Sequence, residues 1–214
     1  DSEPLIPQTA LMGLSKPMMF DGVDDCITGS AIDIGTSFSM SMWINADVIT
    51  ATQYVFQLAN SDTHRSSVRL EAQKIDWSYY DGGGAGYENT ETSSNVITST
   101  GTWYHIVCTG TSGGTKYIYV NGASQATTSG STHGMPANEF NIGQKGNDTG
   151  FFNGIINEVA AWDSVLTLAE VQAIFNDGVA LDVSSDSGNY ASSDDLVGYW
   201  RNSNLDADGK WEDL

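Results

Sequence analysis

The chain has 214 residues, 40% of them hydrophobic and including 6 Trp, 7 Phe and 9 Tyr, which is enough to fill one sizeable core. Eight basic residues against 27 acidic ones give a formal net charge of −19, so simple repulsion excludes nucleic acid and anionic membrane surfaces as partners. No window reaches the ~20 apolar residues of a membrane span, which excludes insertion by a helix, and 23 Gly among abundant Ser, Thr and Asn supply turns at the spacing of an all-β domain.

Residues 1 to 17 hold three of the four prolines and no hydrophobic period, and read as an arm or linker. They lack the charged and apolar regions of a signal peptide, and the absence of a starting Met points to a processed chain or a piece of a longer one. The β domain is expected over residues 18 to 201. It opens with a strand at Met18 to Phe20, followed by the acidic turn Asp21-Gly22-Val23-Asp24-Asp25. Three carboxylates within five residues are costly unless solvated, hydrogen-bonded by the turn or bound to a cation. Cys26 and Cys108 fall in separate predicted strands and are either a pair or two independent thiols.

Phe38, Met40, Met42 and Ile44 alternate with Ser39, Ser41 and Trp43, a clear period-2 strand with Trp43 on the face opposite the methionines. Tyr54 to Leu58 repeats the pattern, and Ser67 to Gln73 with Lys74 to Tyr80 form an expected hairpin. The loop Gly82-Gly83-Gly84-Ala85-Gly86 follows. A phosphate cradle is excluded there, because no Lys-Ser/Thr follows and neighbouring acids repel phosphate. Aromatics and polar groups flank it instead. Sugar rings stack their C–H faces on aromatics and offer hydroxyls to Asp and Asn, which makes Trp77, Tyr79, Tyr80, Asp81, Tyr87 and Asn89 the candidate ligand-binding residues; the alternative is a loop with ordinary strand aromatics.

Trp103 to Thr109 is a further strand, and Tyr117 to Gln125 is a hairpin turning on Asn121-Gly122 in type I′ geometry. His64, His105 and His133 have no zinc-like spacing. From Gly154 two periods meet. Ile155, Ile156 and Val159 to Trp162 form a doubly covered strand interrupted by Asn157 and Glu158, whose buried acid needs a partner. Thr167 and Glu170 then stand at capping-box spacing, and Leu168, Val171, Ile174 and Phe175 repeat every three to four residues up to a stop at Gly178. This short amphipathic helix is expected to cover the outer face of the strand before it. Leu196 to Arg201 returns to strand character and either closes the domain beside the first strand or begins whatever follows, and residues 202 to 214 form an acidic tail that carries half of a calcium-loop pattern from Asn204.

In chain order, Phe20-Asp21-Gly22-Val23-Asp24-Asp25, Phe38 to Ile44, Trp103 to Val107, Tyr117 to Gly122, Asn141-Ile142-Gly143 and the 154 to 178 segment resemble the concanavalin A-like, laminin-G-type (pentraxin-like) modules. The resemblance implies a two-sheet antiparallel jelly-roll sandwich. It also implies a structural calcium, nominating Asp21 and Glu158 with Asn157, where the family commonly has Asp. Glu158-Val159-x-x-Trp162-Asp163 followed by Leu166-Thr167-x-x-Glu170-Val171 is similar to modules of marine bacteriophage virion proteins. The sequence contains no Glu-x-Asp-x-x-Glu triplet and no nucleophile elbow. A non-catalytic module is therefore expected, extracellular or on a virion surface, that recognises a cell-surface glycan or polysaccharide. The alternatives are a structural domain whose partners are virion proteins or copies of itself, and an accessory module of a polysaccharide-degrading enzyme.

Overall fold

A computed structural model of the chain describes residues 18–30, 32–61, 64–81, 86–129, 139–146 and 148–201. The expected arm, the acidic tail and the glycines 82–84 lie outside them. Strands follow in chain order as β1 (Met18–Asp21), β2 (Ile27–Ser30), β3 (Ser37–Ala46), β4 (Gln53–Ser61), β5 (His64–Glu71), β6 (Lys74–Asp81) and β7 (Gly86–Glu91). Next come β8 (Trp103–Thr111), β9 (Thr115–Val120), β10 (Ala123–Ser129), β11 (Glu139–Ile142), β12 (Asn153–Trp162) and β13 (Leu196–Trp200), with one α-helix, α1 (Leu168–Phe175), and the short 3-10 turns Asn176–Gly178 and Ser193–Asp195 between the last two.

Two antiparallel sheets result, as the alternating segments require. One runs β1-β12-β3-β8-β9-β10 with β13 also on β12, and the other runs β2-β11-β4-β5-β6-β7. Between them lies the main core, where Phe38, Met40, Met42 and Ile44 of β3 meet Phe56, Leu58, Val68, Leu70 and Ile75 of the facing sheet. Cys108 is buried in this core, Cys26 is exposed, and both are free thiols. The turn between β9 and β10 has Asn121 at φ 51° and Gly122 at φ 73°, the two left-handed residues of a type I′ turn.

Helix α1 closes the outer face of the seven-stranded sheet. Its capping box is complete: the Glu170 amide donates to Thr167 Oγ1 at 3.3 Å, and the Thr167 amide donates to Glu170 Oε2 at 2.9 Å. The stop falls two residues before the expected Gly178, at Asn176, which takes the left-handed conformation at φ 47°. Val171 and Ile174 pack on Val107, Ala160, Trp162 and Leu166, and the Trp162 indole donates to Tyr190 Oη at 2.9 Å. Phe175 stacks at 5.9 Å on Trp43, which stacks in turn at 4.8 Å on His105. The covering therefore reaches from β12 across β3 to β8.

The acid interrupting β12 has its partner. Glu158 sits at φ 48° where the β12–β3 register slips between Asn157 and Ala160, so a bulge turns its side chain under the helix layer. There it is buried and accepts from the Tyr199 hydroxyl. β1 and β13 lie end to end along the same flank of β12, with Met18 opposite Ile156 and Trp200 opposite Val159.

Candidate functional site

The strand period decides which groups reach the open face of the six-stranded sheet. On β6, Ile75 and Trp77 turn into the core, so Asp76, Ser78 and Tyr80 turn outward. Register then builds three cross-strand rows: Arg65, Tyr80 and Tyr87; Ser67, Ser78 and Asn89; and Arg69, Asp76 and Glu91. The Arg65 guanidinium lies 4.7 Å above the Tyr80 ring, and Arg69 lies 5.8 Å from the Tyr87 ring, to whose hydroxyl it also donates. Arg69 Nε is 3.0 Å from Asp76 Oδ1 and its other arm is 3.1 Å from Glu71. Asn89 Nδ2 donates to Asp76 Oδ2 at 2.9 Å. Burial pushes the Asp76 carboxyl above its ordinary range, while the Asn89 bond and the Arg69 charge pull it back. The Tyr87 hydroxyl is also pushed up by burial although half of the residue is exposed.

This geometry divides the six ligand-binding candidates. Tyr80, Tyr87 and Asn89 share the open face. Trp77 does not: it is 3% exposed, meets Phe38 edge-on at 5.4 Å, and donates from its indole to Ser66 Oγ at 2.9 Å, because its position in the pleat faces the core. Tyr79 follows Trp77 on the inward-turned set and is half-buried. For Asp81 the backbone is described, opposite His64 and Gly86. The open face also contains residues the sequence reading missed, Arg65, Arg69 and Asp76. Their signal was the alternation of charged residues along two strands of one hairpin, which acquires meaning only once register pairs Arg69 with Asp76.

The metal candidates are placed apart. Asp21 pairs with Asn153 on β12, and Glu158 lies five residues further along that strand, roughly 16 Å at ~3.3 Å per residue. Asn157 is buried opposite Trp43 and Glu158 is held by Tyr199, so these two do not converge with Asp21. Instead Asp21, Asp24 and Asp25 each offer a carboxylate oxygen, all within 4.8 Å of one another. Asp21 Oδ1 accepts from the Val23 amide at 2.8 Å and the Asp24 amide at 3.3 Å, and Asp25 Oδ2 accepts from the Asp21 amide at 3.0 Å. The Val23 amide bond does most to hold the Asp21 carboxyl below its usual range. Hard carboxylate oxygens gathered by a short turn are the donor set calcium takes, so the residues present fit that ion.

A laminin-G-type profile of the concanavalin A-like lectin/glucanases superfamily matches residues 21–172, well over half of the chain. The chain belongs to the concanavalin A-like superfamily. No curated protein matches it in sequence. Among solved structures this superfamily member is similar to a heptameric SAP-like pentraxin from Limulus polyphemus, at 17% identity and TM-score 0.52 over 76% of this chain and 77% of the pentraxin. A candidate carbohydrate binding protein from Bacteroides ovatus aligns at 18% identity and TM-score 0.63 over 94% of this chain and 57% of its own. Domains LG4-5 of the mouse laminin α1 chain align at 11% identity and TM-score 0.56 over 73% of this chain and 44% of theirs. At these identities the likeness is one of fold. The chain spans little more than half of the Bacteroides protein and less than half of the laminin pair.

Proposed function

We propose that this concanavalin A-like domain is a non-catalytic carbohydrate-binding module that uses the open face of the six-stranded sheet. The observation that carries the reading is the Tyr80 and Tyr87 pair, adjacent across β6 and β7 and ringed by Arg65, Arg69, Asp76 and Asn89. Two neighbouring rings offer stacking surface, while guanidinium, carboxylate and amide groups supply the directed bonds that hydroxyls need. The Bacteroides protein of the same fold, named for carbohydrate binding, supports it. The Glu158 to Val171 pattern resembles phage virion modules and supports a role on a virion surface, as tail fibre or capsid decoration, with a cell-surface glycan or polysaccharide as its partner.

Binding to a printed glycan array tests this. The unaltered chain is expected to retain at least one glycan, and Tyr87→Ala or Tyr80→Ala is expected to weaken it about tenfold or more, as truncating a central Tyr anchor does. Both variants should keep the melting temperature within a few degrees, because Tyr87 is 49% exposed and Tyr80 lies at the surface of the face. An array with no bound glycan, or variants that bind equally well, would defeat the reading.

We further propose that Asp21, Asp24 and Asp25 hold a structural calcium. Ions bound only by the folded state stabilise it by about 2.7 kcal/mol at a hundredfold excess over Kd. Chelation is therefore expected to lower the melting temperature by several degrees, and the response should vanish in Asp24→Asn/Asp25→Asn. Identical melting curves with and without chelator would remove the ion from the account.

A further inference from the structure

At the far edge of the same face, beside β2 and β11, lies a groove of about 520 Å³ lined by Thr28, Ser30, Glu139, Asn141, Gln144 and Asp148. Asn141 and Gln144 are each 3% exposed, yet Asn141 Nδ2 and Gln144 Oε1 are without a hydrogen-bond partner. The bond they make with each other, Gln144 Nε2 to Asn141 Oδ1 at 3.4 Å, leaves a donor and an acceptor unmet in two residues that line the groove. Buried amide groups left unmade cost stability, so such a pair marks a place where a third group is expected.

The chemistry of that group follows from the pair. A cation would serve the acceptor and leave the donor unmet, and an anion the reverse; a hydroxyl serves both. Glu139 and Asp148 line the groove and the chain carries −19, which turns away sulfated or carboxylated ligands. Gly146 keeps the space open. A Cβ there would fall 2.9 Å from Gln57 Nε2, 3.2 Å from Asn141 Nδ2 and 3.3 Å from Glu139 Oε1, and its φ is not in the left-handed region that would otherwise call for glycine. The volume far exceeds the ~30 Å³ share of one water and falls in the range of small-ligand sites.

We infer that the β2–β11 groove is a second subsite, which takes an uncharged hydroxyl-bearing ligand of monosaccharide size through Asn141 and Gln144. It goes beyond the tyrosine rows: β4 and β5 separate β11 from β6, three strand spacings or roughly 14 Å. Each can bind without the other.

The test follows side-chain amide signals of the isotope-labelled full chain by nuclear magnetic resonance. The probes are the methyl glycosides of glucose, galactose, mannose and N-acetylglucosamine, then N-acetylneuraminic acid and calcium chloride. At least one neutral glycoside is expected to shift the Asn141 or Gln144 signals saturably, while neither N-acetylneuraminic acid nor calcium does. Gly146→Val should weaken that Kd about tenfold or more, and Asn141→Asp, which replaces the donor by a carboxylate of the same shape, gives the same reading if the valine variant fails to fold. Tyr80→Ala should leave it within about twofold, since the two sites share no residue. No saturable shift with any neutral glycoside means water alone fills the groove and overturns the assignment, as does tighter binding of N-acetylneuraminic acid or calcium, or indifference to both groove variants. Should Tyr80→Ala and Tyr87→Ala leave the array unchanged while the groove variants lose the glycoside, the tyrosine reading alone fails.

Discussion

Replacing Trp200 with alanine is expected to cost about 3–5 kcal/mol, the largest loss of any single substitution considered. Its indole is 2% exposed in the main core, 4.5 Å from the Phe140 ring and 6.0 Å from the Phe56 ring, both in the opposite sheet. It thus ties the last strand of one sheet to two strands of the other. The site cannot collapse onto the gap, because Gly198, next on the same face of β13, has no side chain to fill it; a Cβ there would fall 2.3 Å from the tip of the indole. Against the 5–15 kcal/mol typical of folded domains, the loss leaves the variant marginal at best. Urea unfolding followed by tryptophan fluorescence measures it. A midpoint displaced by less than the equivalent of about 1 kcal/mol would show that β13 is not integral to the core.

Acidification is expected to destabilise the protein from about pH 6.5 downward, earlier than carboxylates alone allow. His105 is 1% exposed, packed against both Trp43 and the helix residue Phe175, with Nε2 2.7 Å from Ser41 Oγ and Nδ1 without a partner. Burial lowers its pKa to about 3 from 6.5. The folded protein refuses the proton that the unfolded chain takes, so between these two values the unfolded state binds more protons. Stability therefore falls with falling pH, by up to about 1.4 kcal/mol per unit. Above pH 6.5 this contribution is complete. Asp21, Glu170, Asp182 and Asp186, all held below their ordinary values, act in the same direction but only from about pH 4.5 down. The raised Asp76 acts against both, from the ordinary carboxylate value upward. Between pH 4.5 and 6.5 the histidine is therefore isolated by comparison with a variant that keeps Asp76 and lacks only the imidazole. His105→Gln keeps a hydrogen-bonding group for Ser41 and does not titrate, so its stability should fall less steeply than the parent's as the pH drops across the interval. Parallel slopes would clear His105 of the effect.

Local chemistry made much of the fold legible before any coordinates. The helix was written in Thr167, Glu170 and the spacing of Val171 and Ile174; the type I′ turn was written in Asn121-Gly122. The alternation in β3 correctly set its methionines against Ser39, Ser41 and Trp43, which lie beneath the helix layer. The site was less legible, because alternation fixes which residues share a face and leaves open which face is covered. Trp77 and Tyr80 both looked like sugar platforms, and only the packing of Ile75 and Trp77 against the facing sheet separates them. Register was equally hidden: Arg69 and Asp76 belong together only because the Ala72-Gln73 turn pairs them. The carboxylates show the same limit at longer range. Asp24 and Asp25 were visible as neighbours of Asp21, whereas the distance to Glu158 depended on how β1 slides along β12. Asn141 and Gln144 carried no signal of a site, since an unmet amide is a property of three-dimensional surroundings.

The end-to-end arrangement of β13 and β1 along β12 makes them two halves of one interrupted edge. Both run antiparallel to β12, so the exit at Trp200 points toward the entry at Met18, and their partners on β12 are three positions apart, Val159 and Ile156. Entry and exit thus stand side by side, and the sandwich can be spliced into a surface loop of a host polypeptide like a bead on a closed clasp, with little stretch imposed on either neighbour. The same juncture could be sealed with a short peptide and the backbone reopened elsewhere, a circularly permuted fold in which the former ends become a single unbroken strand.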